Sequence, residues 1–316
     1  MFEKVNPGHP DKMADRLAGA VVDLVYERAG GLTKANPRVA CEVMAGHGRV
    51  DVQIETSLGR LDLRADDLDP LIHRLFGERV EGNVLIAPQD PHLSDNQTRG
   101  LRCGDNGIFR GCPPTEEQRV LTAIAATIYG SIPYDGKYII NHHICEEDAK
   151  IKKWLFGRPP RVEWDVTICQ SHLPKGEEEH KLLQMLVDDY GIDGWKLINP
   201  LGEWTGGIDV DCGCTNRKLG SDMGDGVTGG GLMGKDLSKA DVSVNIVCFL
   251  KAVASGQTVT AMCSIGDENV TFQYADGKTE TETFADIVEM ARLYIITDCG
   301  GSFERFAEWG LIRAKE

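Results

Sequence analysis

Residues 211–241 read DCGCTNRKLGSDMGDGVTGGGLMGKDLSKAD, a stretch that combines many glycines with many charged residues. Among its glycines stand four cationic side chains, Arg217, Lys218, Lys235 and Lys239. Glycines let backbone amides approach a ligand closely, and Lys and Arg bind phosphate oxygens. Carboxylates that can hold a divalent ion between phosphates are supplied by Asp211, Asp236 and Asp241. The stretch predicts a polyphosphate site; the plainer alternative is a solvated surface loop.

The same stretch contains a near-match to the Walker A motif, G-x-x-x-x-G-K-[ST], at residues 229–235. Asp236 follows where the motif requires Ser or Thr, so the hydroxyl that binds Mg²⁺ is missing. A P-loop also follows a buried apolar strand, whereas residues 219–227 are polar and glycine-rich. We therefore reject a P-loop, and with it a kinase-like phosphotransferase.

Composition narrows the class of protein. The 316 residues suffice for two or three domains, and 41% apolar with 26% charged residues is typical of a globular protein. The net charge of −15 argues against a nucleic-acid partner. Ten scattered cysteines without a C-x-x-C pair predict reduced thiols. Because no signal peptide or membrane-spanning apolar run is evident, we expect a cytoplasmic protein without a membrane partner.

Apolar periodicity predicts helices and strands without a regular βαβ alternation. Pro10 is expected to begin a helix that ends before residues 30–31, and Thr115 with Gln118 forms a capping box for a helix over residues 115–129. Further helices are predicted over residues 67–76, 177–190, 242–254 and 284–295, and strands over 39–44, 50–55, 83–87, 137–144, 161–171, 195–198, 258–265 and 270–274. This mixture predicts an α+β fold with antiparallel or mixed sheets.

The sequence makes a more specific prediction for each of three regions. The strand over residues 83–87 is expected to be buried. Residues 88–110 lack periodicity and predict a long irregular loop, and residues 300–316 predict a short irregular tail. Domain boundaries are expected near residues 102 and 205.

Several motifs occur along the chain in a specific order. They are GHPDK at residues 8–12, VACE at 39–42, GDNG at 104–107, NPLGEW at 199–204, DCGCTNRK at 211–218 and GGGLMGKDLSKAD at 229–241. In this order they resemble the sequence blocks of the S-adenosylmethionine synthetases, or methionine adenosyltransferases, over roughly residues 1–270. Pro7 stands where the family has Glu, Asn106 where it has Gln, and Asn216 where it has Gly. The loop over residues 89–104 and the C-terminal region are shorter, so the chain resembles a divergent and shortened member.

The resemblance implies an architecture as well as a function. Three similar α+β domains in a pseudo-threefold arrangement would span residues 1–102, 103–205 and 206–316. A homodimer or a dimer of dimers, with active sites shared between subunits, is implied as well.

The resemblance further implies synthesis of S-adenosyl-L-methionine from ATP and L-methionine. The methionine sulfur would displace triphosphate, which is then hydrolysed to phosphate and pyrophosphate, with Mg²⁺ and K⁺ as cofactors. The alternative, favoured by the shortened regions, is a non-catalytic regulatory paralogue that binds ATP or S-adenosylmethionine.

The matching motifs imply roles for individual residues. His9 would donate a hydrogen bond to the bridging oxygen of the leaving triphosphate. The catalytic set would be His9, Lys12, Lys137, Arg217 and Lys235, in which the four cations contact phosphate. Further ATP contacts would come from Asp135, Trp204, Asp211, Lys218, Lys239 and Ile265, with Trp204 and Ile265 at the adenine.

The remaining implied roles concern methionine and metals. Methionine would be contacted by Glu55, Gln89, Asp105 and Lys239, with Gln89 on a gating loop. Asp11 and Asp241 match the Mg²⁺-binding carboxylates of the family, and Glu42 matches the K⁺ ligand.

Overall fold

The computed structural model of the protein describes residues 1–59, 62–90, 100–144 and 162–314. Within these ranges the strands are β1 (Phe2–Val5), β2 (Val39–Gly46), β3 (Arg49–Thr56), β4 (Glu81–Pro88), β5 (Gly107–Gly111), β6 (Gly136–Ile144), β7 (Val162–Gln170), β8 (Lys196–Ile198), β9 (Gly213–Cys214), β10 (Val259–Cys263), β11 (Asn269–Tyr274) and β12 (Thr279–Thr283). The helices are α1 (Pro10–Arg28), α2 (Asp69–Phe76), α3 (Glu116–Ser131), α4 (Glu177–Asp188), α5 (Leu219–Met223), α6 (Ala240–Ser255), α7 (Phe284–Asp298) and α8 (Phe303–Trp309).

The described strands form three four-stranded sheets, ordered β1-β6-β7-β8, β4-β3-β2-β9 and β12-β11-β10-β5. The pairs β3–β4 and β7–β8 are parallel, and the other pairs are antiparallel. Two of these sheets are therefore mixed and the third, β12-β11-β10-β5, is antiparallel, so the predicted α+β class with antiparallel or mixed sheets is confirmed.

The chain separates into two compact units. The smaller unit comprises Met1–His9, Thr115–Gly207 and Arg313–Glu316, and the larger comprises Pro10–Pro114 and Ile208–Ile312. The sheet of β1, β6, β7 and β8 belongs to the smaller unit, and the other two sheets belong to the larger. The division into three similar domains, with boundaries near residues 102 and 205, stays a prediction.

In the smaller unit, α3 contacts strands β1 and β6. The predicted capping box begins this helix: Gln118 N donates to Thr115 Oγ1 at 3.3 Å, and Thr115 N donates to Gln118 Oε1 at 3.0 Å. Leu121, Ile124 and Ile128 form its buried apolar face. The predicted start of this helix is therefore confirmed.

In the larger unit, α1 packs against β2 and α8. Leu17, Val21 and Val25 recur at helical spacing and are buried. Asp11 in the first turn and Arg28 in the last turn complement the helix dipole. This helix carries two candidate site residues at its N-terminus, so its packing fixes where they lie.

Strands β2 and β3 form a hairpin within the sheet next to α1. The strands pair from Val39 with Thr56 to Gly46 with Arg49, as predicted. Strand β4 pairs parallel to β3 at the sheet edge, and Leu85 on it is 59% exposed. The expectation that this strand is buried is therefore wrong, because its apolar residues reflect strand propensity at an edge rather than burial.

The second sheet of the larger unit contains β5, which pairs with β10. This strand lies within the stretch predicted to be an irregular loop up to residue 110, so the end of that prediction is wrong. Residues 91–99 of the predicted loop lie outside the described residues. A Cβ atom on Gly111 would lie 2.1 Å from Cys248 O, so β5 and α6 pack with no room for a side chain at this position.

The C-terminal region forms α8 where an irregular tail was predicted. Asp23 on α1 accepts hydrogen bonds from Ser302 Oγ at 2.7 Å and Phe303 N at 2.7 Å, which satisfies the start of this helix. Phe303 stacks on Tyr26 with ring centroids 5.3 Å apart. These long-range contacts stabilise a helix too short to be recognised by periodicity. No described helix combines the length and apolar character needed to cross a membrane.

Candidate functional site

The N-terminus of α1 carries Asp11, which is 2% exposed. Asp11 Oδ1 accepts a hydrogen bond from Cys214 N at 2.8 Å, and Arg217 Nη1 lies 3.4 Å from the same oxygen. Lys218 Nζ lies 3.9 Å from Asp11 Oδ2. Burial raises the pKa of the Asp11 carboxyl, while the Cys214 N–H and the two cations act in the opposite direction. The structure therefore brings one predicted metal carboxylate together with two predicted phosphate cations.

A close backbone approach makes this arrangement possible. A Cβ atom on Gly213 would lie 2.0 Å from Pro10 O, so only glycine lets β9 reach the start of α1. Asp211, which precedes this strand, is exposed, and its Oδ1 accepts from Cys212 N at 2.7 Å. Gly213 of the DCGCTNRK motif is therefore required for the packing of β9 against α1 within the larger unit.

Glu42 lies on the exposed face of β2, next to Thr215 of the DCGCTNRK motif. Thr215 Oγ1 donates a hydrogen bond to Glu42 Oε2, and Thr215 N donates to Val43 O at 3.0 Å. Thr215 therefore orients the predicted K⁺ ligand, a role that its place inside the DCGCTNRK motif did not reveal.

The conformation of residue 216 explains why Asn can stand where the family that the chain resembles has Gly. The φ of Asn216, 61°, lies in the left-handed region, which favours glycine and, among other residues, asparagine. Asn216 Oδ1 accepts from Met233 N at 2.7 Å, and its Nδ2 donates to Met233 O at 3.2 Å. Asparagine tolerates this conformation better than most other residues, and its side chain ties residues 211–218 to the second half of the stretch over residues 211–241.

The second half of that stretch contains the pair of Lys235 and Asp241. Lys235 Nζ lies 2.7 Å from Asp241 Oδ2, and both side chains are largely buried. A Cβ atom on Gly230 would lie 1.9 Å from Asp241 Oδ1, so glycine leaves room for the carboxylate. Lys239 is half-buried and is the N-cap residue of α6. A second predicted metal carboxylate is thus paired with a predicted phosphate cation.

Asp236 has a different environment from the one expected of a metal ligand. It is fully buried, and Asp236 Oδ2 accepts from Val39 N at 2.8 Å. Its Oδ1 accepts from Ser238 N at 2.8 Å and lies 3.6 Å from Arg38 Nη1. Because both oxygens hold neighbouring chain segments, we assign Asp236 to the fold rather than to a divalent ion. The structure also agrees with the rejection of a P-loop, since α5 and a 3-10 turn precede residue 229.

Lys12 lies in a buried ion cluster. Its side chain is 0% exposed, and Nζ lies 2.7 Å from Asp222 Oδ1, 2.8 Å from Asp222 Oδ2 and 3.1 Å from Asp15 Oδ2. The two contacts with Asp222 are hydrogen bonds, and the contact with Asp15 is an ion pair. The predicted contact between Lys12 and phosphate would require this cluster to open.

The cluster predicts a pH-dependent stability. Burial raises the pKa of Asp15 to about 7, and the Asp222 carboxylate acts in the same direction. Folded protein therefore holds a proton between about pH 4 and pH 7 that the unfolded chain has released, so this contribution to stability falls as pH rises through that window. We expect Asp15→Asn to remove the slope, with a gain relative to wild type of roughly 1–4 kcal/mol on going from pH 4 to pH 8. Melting temperatures across this range test the prediction; parallel profiles for the two proteins would contradict it.

The smaller unit holds a second group of predicted ATP contacts. His9 is 7% exposed, and its backbone N donates to Asn6 O at 3.1 Å. Asp135 is buried, and its Oδ2 accepts from Gly207 N at 2.9 Å. Lys137 Nζ lies 3.0 Å from Glu3 Oε2 across the neighbouring strand.

Trp204, the predicted adenine contact, lies beside Asp135. A Cβ atom on Gly206 would lie 2.8 Å from the Trp204 ring and 2.9 Å from Asp135 Cβ, so both side chains approach the same glycine. Nearby, the His172 ring stacks on Tyr134 with centroids 4.1 Å apart, and His172 N donates to Trp204 O at 3.1 Å. Tyr134 and His172 carry no signal in the sequence that predicts this position, because neither lies in a matching motif.

The residues predicted to contact methionine lie at other places in the larger unit. Glu55 is exposed on β3, and Gln89 N donates to Thr56 O at 3.0 Å, at the end of the same strand. Asp105 is exposed in the GDNG motif. Asn106 Oδ1 accepts from Ile265 N at 2.8 Å, so the predicted adenine contact Ile265 lies next to the GDNG motif that carries Asp105.

The carboxylates of the described chain set a limit on metal binding. No group of three or more His, Cys, Asp or Glu side chains among the described residues is arranged to hold a metal ion. Mg²⁺ is commonly held by one or two carboxylates together with phosphate oxygens of the substrate. Asp11 and Asp241 are compatible with that mode, since each is a single carboxylate next to one or two cations that the sequence predicts to contact phosphate.

Comparison with known proteins supports the resemblance seen in the motifs. Curated relatives named S-adenosylmethionine synthase include those of Jannaschia sp., 26% identical over 76% of this chain and 69% of the relative, and Acidiphilium cryptum, 28% identical over 83% and 74%. The relative from Helicobacter pylori strain HPAG1 is 26% identical over 88% of this chain and 77% of its own length. No protein-family model matches the chain.

A solved structure supports the fold. The structure described as an unusual S-adenosylmethionine synthetase from Campylobacter jejuni superposes with a TM-score of 0.66 at 21% identity, and the match covers 98% of this chain and 93% of that one. The resemblance inferred from the ordered motifs is therefore confirmed, and the identities mark the chain as divergent.

Proposed function

We propose that this chain, a divergent homologue of the S-adenosylmethionine synthases, makes S-adenosyl-L-methionine from ATP and L-methionine. One observation carries the proposal: Asp11 and Asp241, the two predicted metal carboxylates, are each paired with cations predicted to bind phosphate. In the structure these opposite charges lie within ion-pair distance of one another. A magnesium triphosphate carries the same two kinds of charge. Its phosphate oxygens can bind the Lys and Arg side chains, and its metal ion can bind the carboxylates.

The chemistry requires little beyond these groups. The methionine sulfur forms a bond to C5′ of the ribose, and the C5′–O bond breaks with its electron pair leaving on the triphosphate. A thioether carries no proton, so no general base is needed. The reaction depends on in-line positioning and on stabilising the negative charge that grows on the leaving oxygen.

In this proposal, His9 donates a hydrogen bond to the leaving oxygen. Arg217, Lys218 and Lys235 bind the phosphates, and Trp204 offers a flat ring for the adenine. Mg²⁺ held between the carboxylates and the triphosphate would neutralise part of the leaving charge. Glu42, oriented by Thr215, is proposed to bind K⁺.

The remaining predicted roles stay part of the same proposal. They include ATP contacts by Asp135, Lys137, Asp211, Lys239 and Ile265, and methionine contacts by Glu55, Gln89, Asp105 and Lys239. A homodimer or dimer of dimers, hydrolysis of the triphosphate and a cytoplasmic location are also proposed. A phosphate contact by Lys12 has no support from its buried cluster.

The test is direct. Purified protein is incubated with ATP, L-methionine, Mg²⁺ and K⁺, and S-adenosylmethionine, phosphate and pyrophosphate are measured by mass spectrometry and phosphate assay. We expect all three products in a methionine-dependent reaction. Binding of ATP measured by calorimetry, without product under any Mg²⁺ or K⁺ condition, would favour the regulatory paralogue instead.

The metal assignment makes a separate prediction. Because Asn lacks the charge of a carboxylate, we expect Asp241→Asn to raise the Mg²⁺ concentration for half-maximal activity by at least about tenfold. Turnover should fall, and the melting temperature should stay close to that of the wild type. A Mg²⁺ titration of both proteins measures the effect.

Asp276→Asn is the matched control, since Asp276 is an exposed carboxylate in the turn between β11 and β12 of the same unit. Its Mg²⁺ titration should match that of the wild type. An unchanged titration for Asp241→Asn would remove Asp241 from the metal site.

A further inference from the structure

A buried polar network lies at the adjoining ends of three strands in the smaller unit. It consists of Asn6, Tyr138 and Gln170, which are each 0% exposed. Asn6 N donates to Gly136 O at 3.1 Å, and Gly136 pairs with Gln170 in the neighbouring strand. No residue of this network, hereafter the Asn6–Tyr138–Gln170 network, has a role in the proposed reaction.

Asn6 joins two loops through its side-chain amide. Its Oδ1 accepts hydrogen bonds from Gly8 N at 3.0 Å and Gly136 N at 3.1 Å. Its Nδ2 donates to Tyr134 O at 2.8 Å and to Tyr138 Oη at 2.9 Å. A reversed amide would set donors against donors, so the orientation is fixed. Asn6 thereby fastens the loop over residues 6–9 to the loop over residues 132–136.

Gln170 extends the network to a third segment. Tyr138 Oη donates to Gln170 Oε1, and Gln170 Nε2 donates to Tyr134 O at 3.2 Å. Gln170 N donates to Asn199 Oδ1 at 2.8 Å, and Asn199 Nδ2 returns a bond to Gln170 O at 2.9 Å. Asn199 Oδ1 also accepts from Trp204 Nε1 at 3.4 Å. Asn199 therefore links Gln170 to the indole of Trp204.

The packing around the network leaves no room for adjustment. A Cβ atom on Gly136 would lie 2.2 Å from Tyr138 Oη, and one on Gly8 would lie 2.6 Å from Tyr134 C. Both distances are shorter than any real contact of a Cβ atom, so the two loops are in direct backbone contact. A buried network whose members are all satisfied holds its surroundings in one arrangement.

Three predicted ATP contacts lie at the edges of this network. His9 N donates to Asn6 O, Asp135 stands between Tyr134 and Gly136, and the Trp204 indole donates to Asn199. We infer that the Asn6–Tyr138–Gln170 network is a positioning device, which holds these three contacts in place before ATP binds. The inference rests on the proposed function, because positioning has an effect on rate only if His9 acts on the leaving group.

Tyr138→Phe tests the inference, since it removes one hydroxyl and keeps the ring. We expect kcat for S-adenosylmethionine formation to fall about 10–100-fold in the wild-type background, because misplacement of a reacting group has effects of this size. In the His9→Ala background the same substitution should lower kcat by a smaller factor than in the wild type, since one of the three contacts that the network positions, the one at the leaving group, is gone. Equal losses in both backgrounds would show a merely structural role and overturn the inference.

Hydrogen exchange gives a readout that does not depend on activity. The amides of Gly8 and Gly136 bond to Asn6, and that of His9 bonds to its carbonyl, so we expect all three to exchange at least about tenfold faster in Tyr138→Phe. Unchanged exchange would overturn the inference even if activity fell. The matched control is Tyr190→Phe. In the wild type the Tyr190 hydroxyl forms a hydrogen bond of 2.6 Å with Thr127 Oγ1 on α3 of the same unit. This control should leave kcat and the three amides unchanged.

The two failures can be told apart. A wild-type protein that makes no S-adenosylmethionine, while exchange still rises in Tyr138→Phe, would overturn the proposed function and the catalytic purpose of the network. It would leave the positioning of the loops supported. An active wild-type protein with unchanged exchange in the variant would overturn the network alone.

Discussion

His9→Ala is expected to lower kcat for S-adenosylmethionine formation by about 10²–10³-fold, while the KM for ATP changes little. A donor aimed at the leaving oxygen strengthens its hydrogen bond as negative charge develops there, so its loss is felt in the transition state more than in the bound substrate. Steady-state kinetics with ATP and L-methionine measure both constants. His9→Asn keeps a donor and should retain more activity than His9→Ala.

Two comparisons separate this role from a general disturbance. Hydrolysis of added tripolyphosphate breaks a different bond, so His9→Ala should reduce it less than it reduces adenosyl transfer. His180→Ala, which removes an exposed histidine from α4 of the same unit, should change neither activity. If His9→Ala instead lowered both activities equally, or raised only the KM for ATP, His9 would be a residue that holds the phosphate-binding loop in place.

The long elements of the fold were predictable from local sequence. Helix α1, the β2–β3 hairpin and the capping box of α3 each carry a complete local signal, from periodicity, turn residues or the Thr115–Gln118 pair. Helix α8 has only a weak local signal, the N-cap Ser302, whose Oγ accepts from Arg305 N at 3.2 Å, and the rest of its start is satisfied by Asp23, which is distant in sequence. Strand β1 was missed for the same reason, since its four residues are stabilised by pairing with β6.

The motifs alone do not show whether a charged residue of the predicted site is buried or which residues it contacts. Lys12 and Lys235 are equally cationic in sequence and both lie in matching motifs, yet Lys12 is enclosed by two carboxylates and Lys235 by one. Asp236 and Asp241 differ in the same way, because Asp236 bonds to β2 and Asp241 to a single lysine. Burial and partners decide between a structural charge and a ligand, and both depend on distant segments.

Lys12→Met is expected to destabilise the protein by about 3–5 kcal/mol, because it leaves two buried carboxylates, Asp15 and Asp222, without their shared cation. Asp15 can escape part of this penalty by holding a proton, because burial already raises its pKa to about 7 and loss of the Lys12 cation raises that pKa further. A folded-state pKa above that of the unfolded chain makes stability fall as pH rises through the raised pKa. The loss should therefore be larger at pH 8 than at pH 5. Urea unfolding at both pH values, with unchanged m-values, measures it.

The matched control and the double variant make the prediction specific. Lys278→Met removes an exposed lysine paired with Glu280 at 2.7 Å and should leave the free energy of unfolding close to that of the wild type, because solvent screens exposed ion pairs. Lys12→Met combined with Asp222→Asn leaves Asp15 as the one buried carboxylate of the cluster, so the double variant should be more stable than Lys12→Met alone. If Lys12 were a phosphate ligand in an open site, its loss would lower activity and leave the unfolding midpoint unchanged. That outcome would return Lys12 to the phosphate-binding set, because only a lysine outside a buried cluster can be removed without a cost in stability.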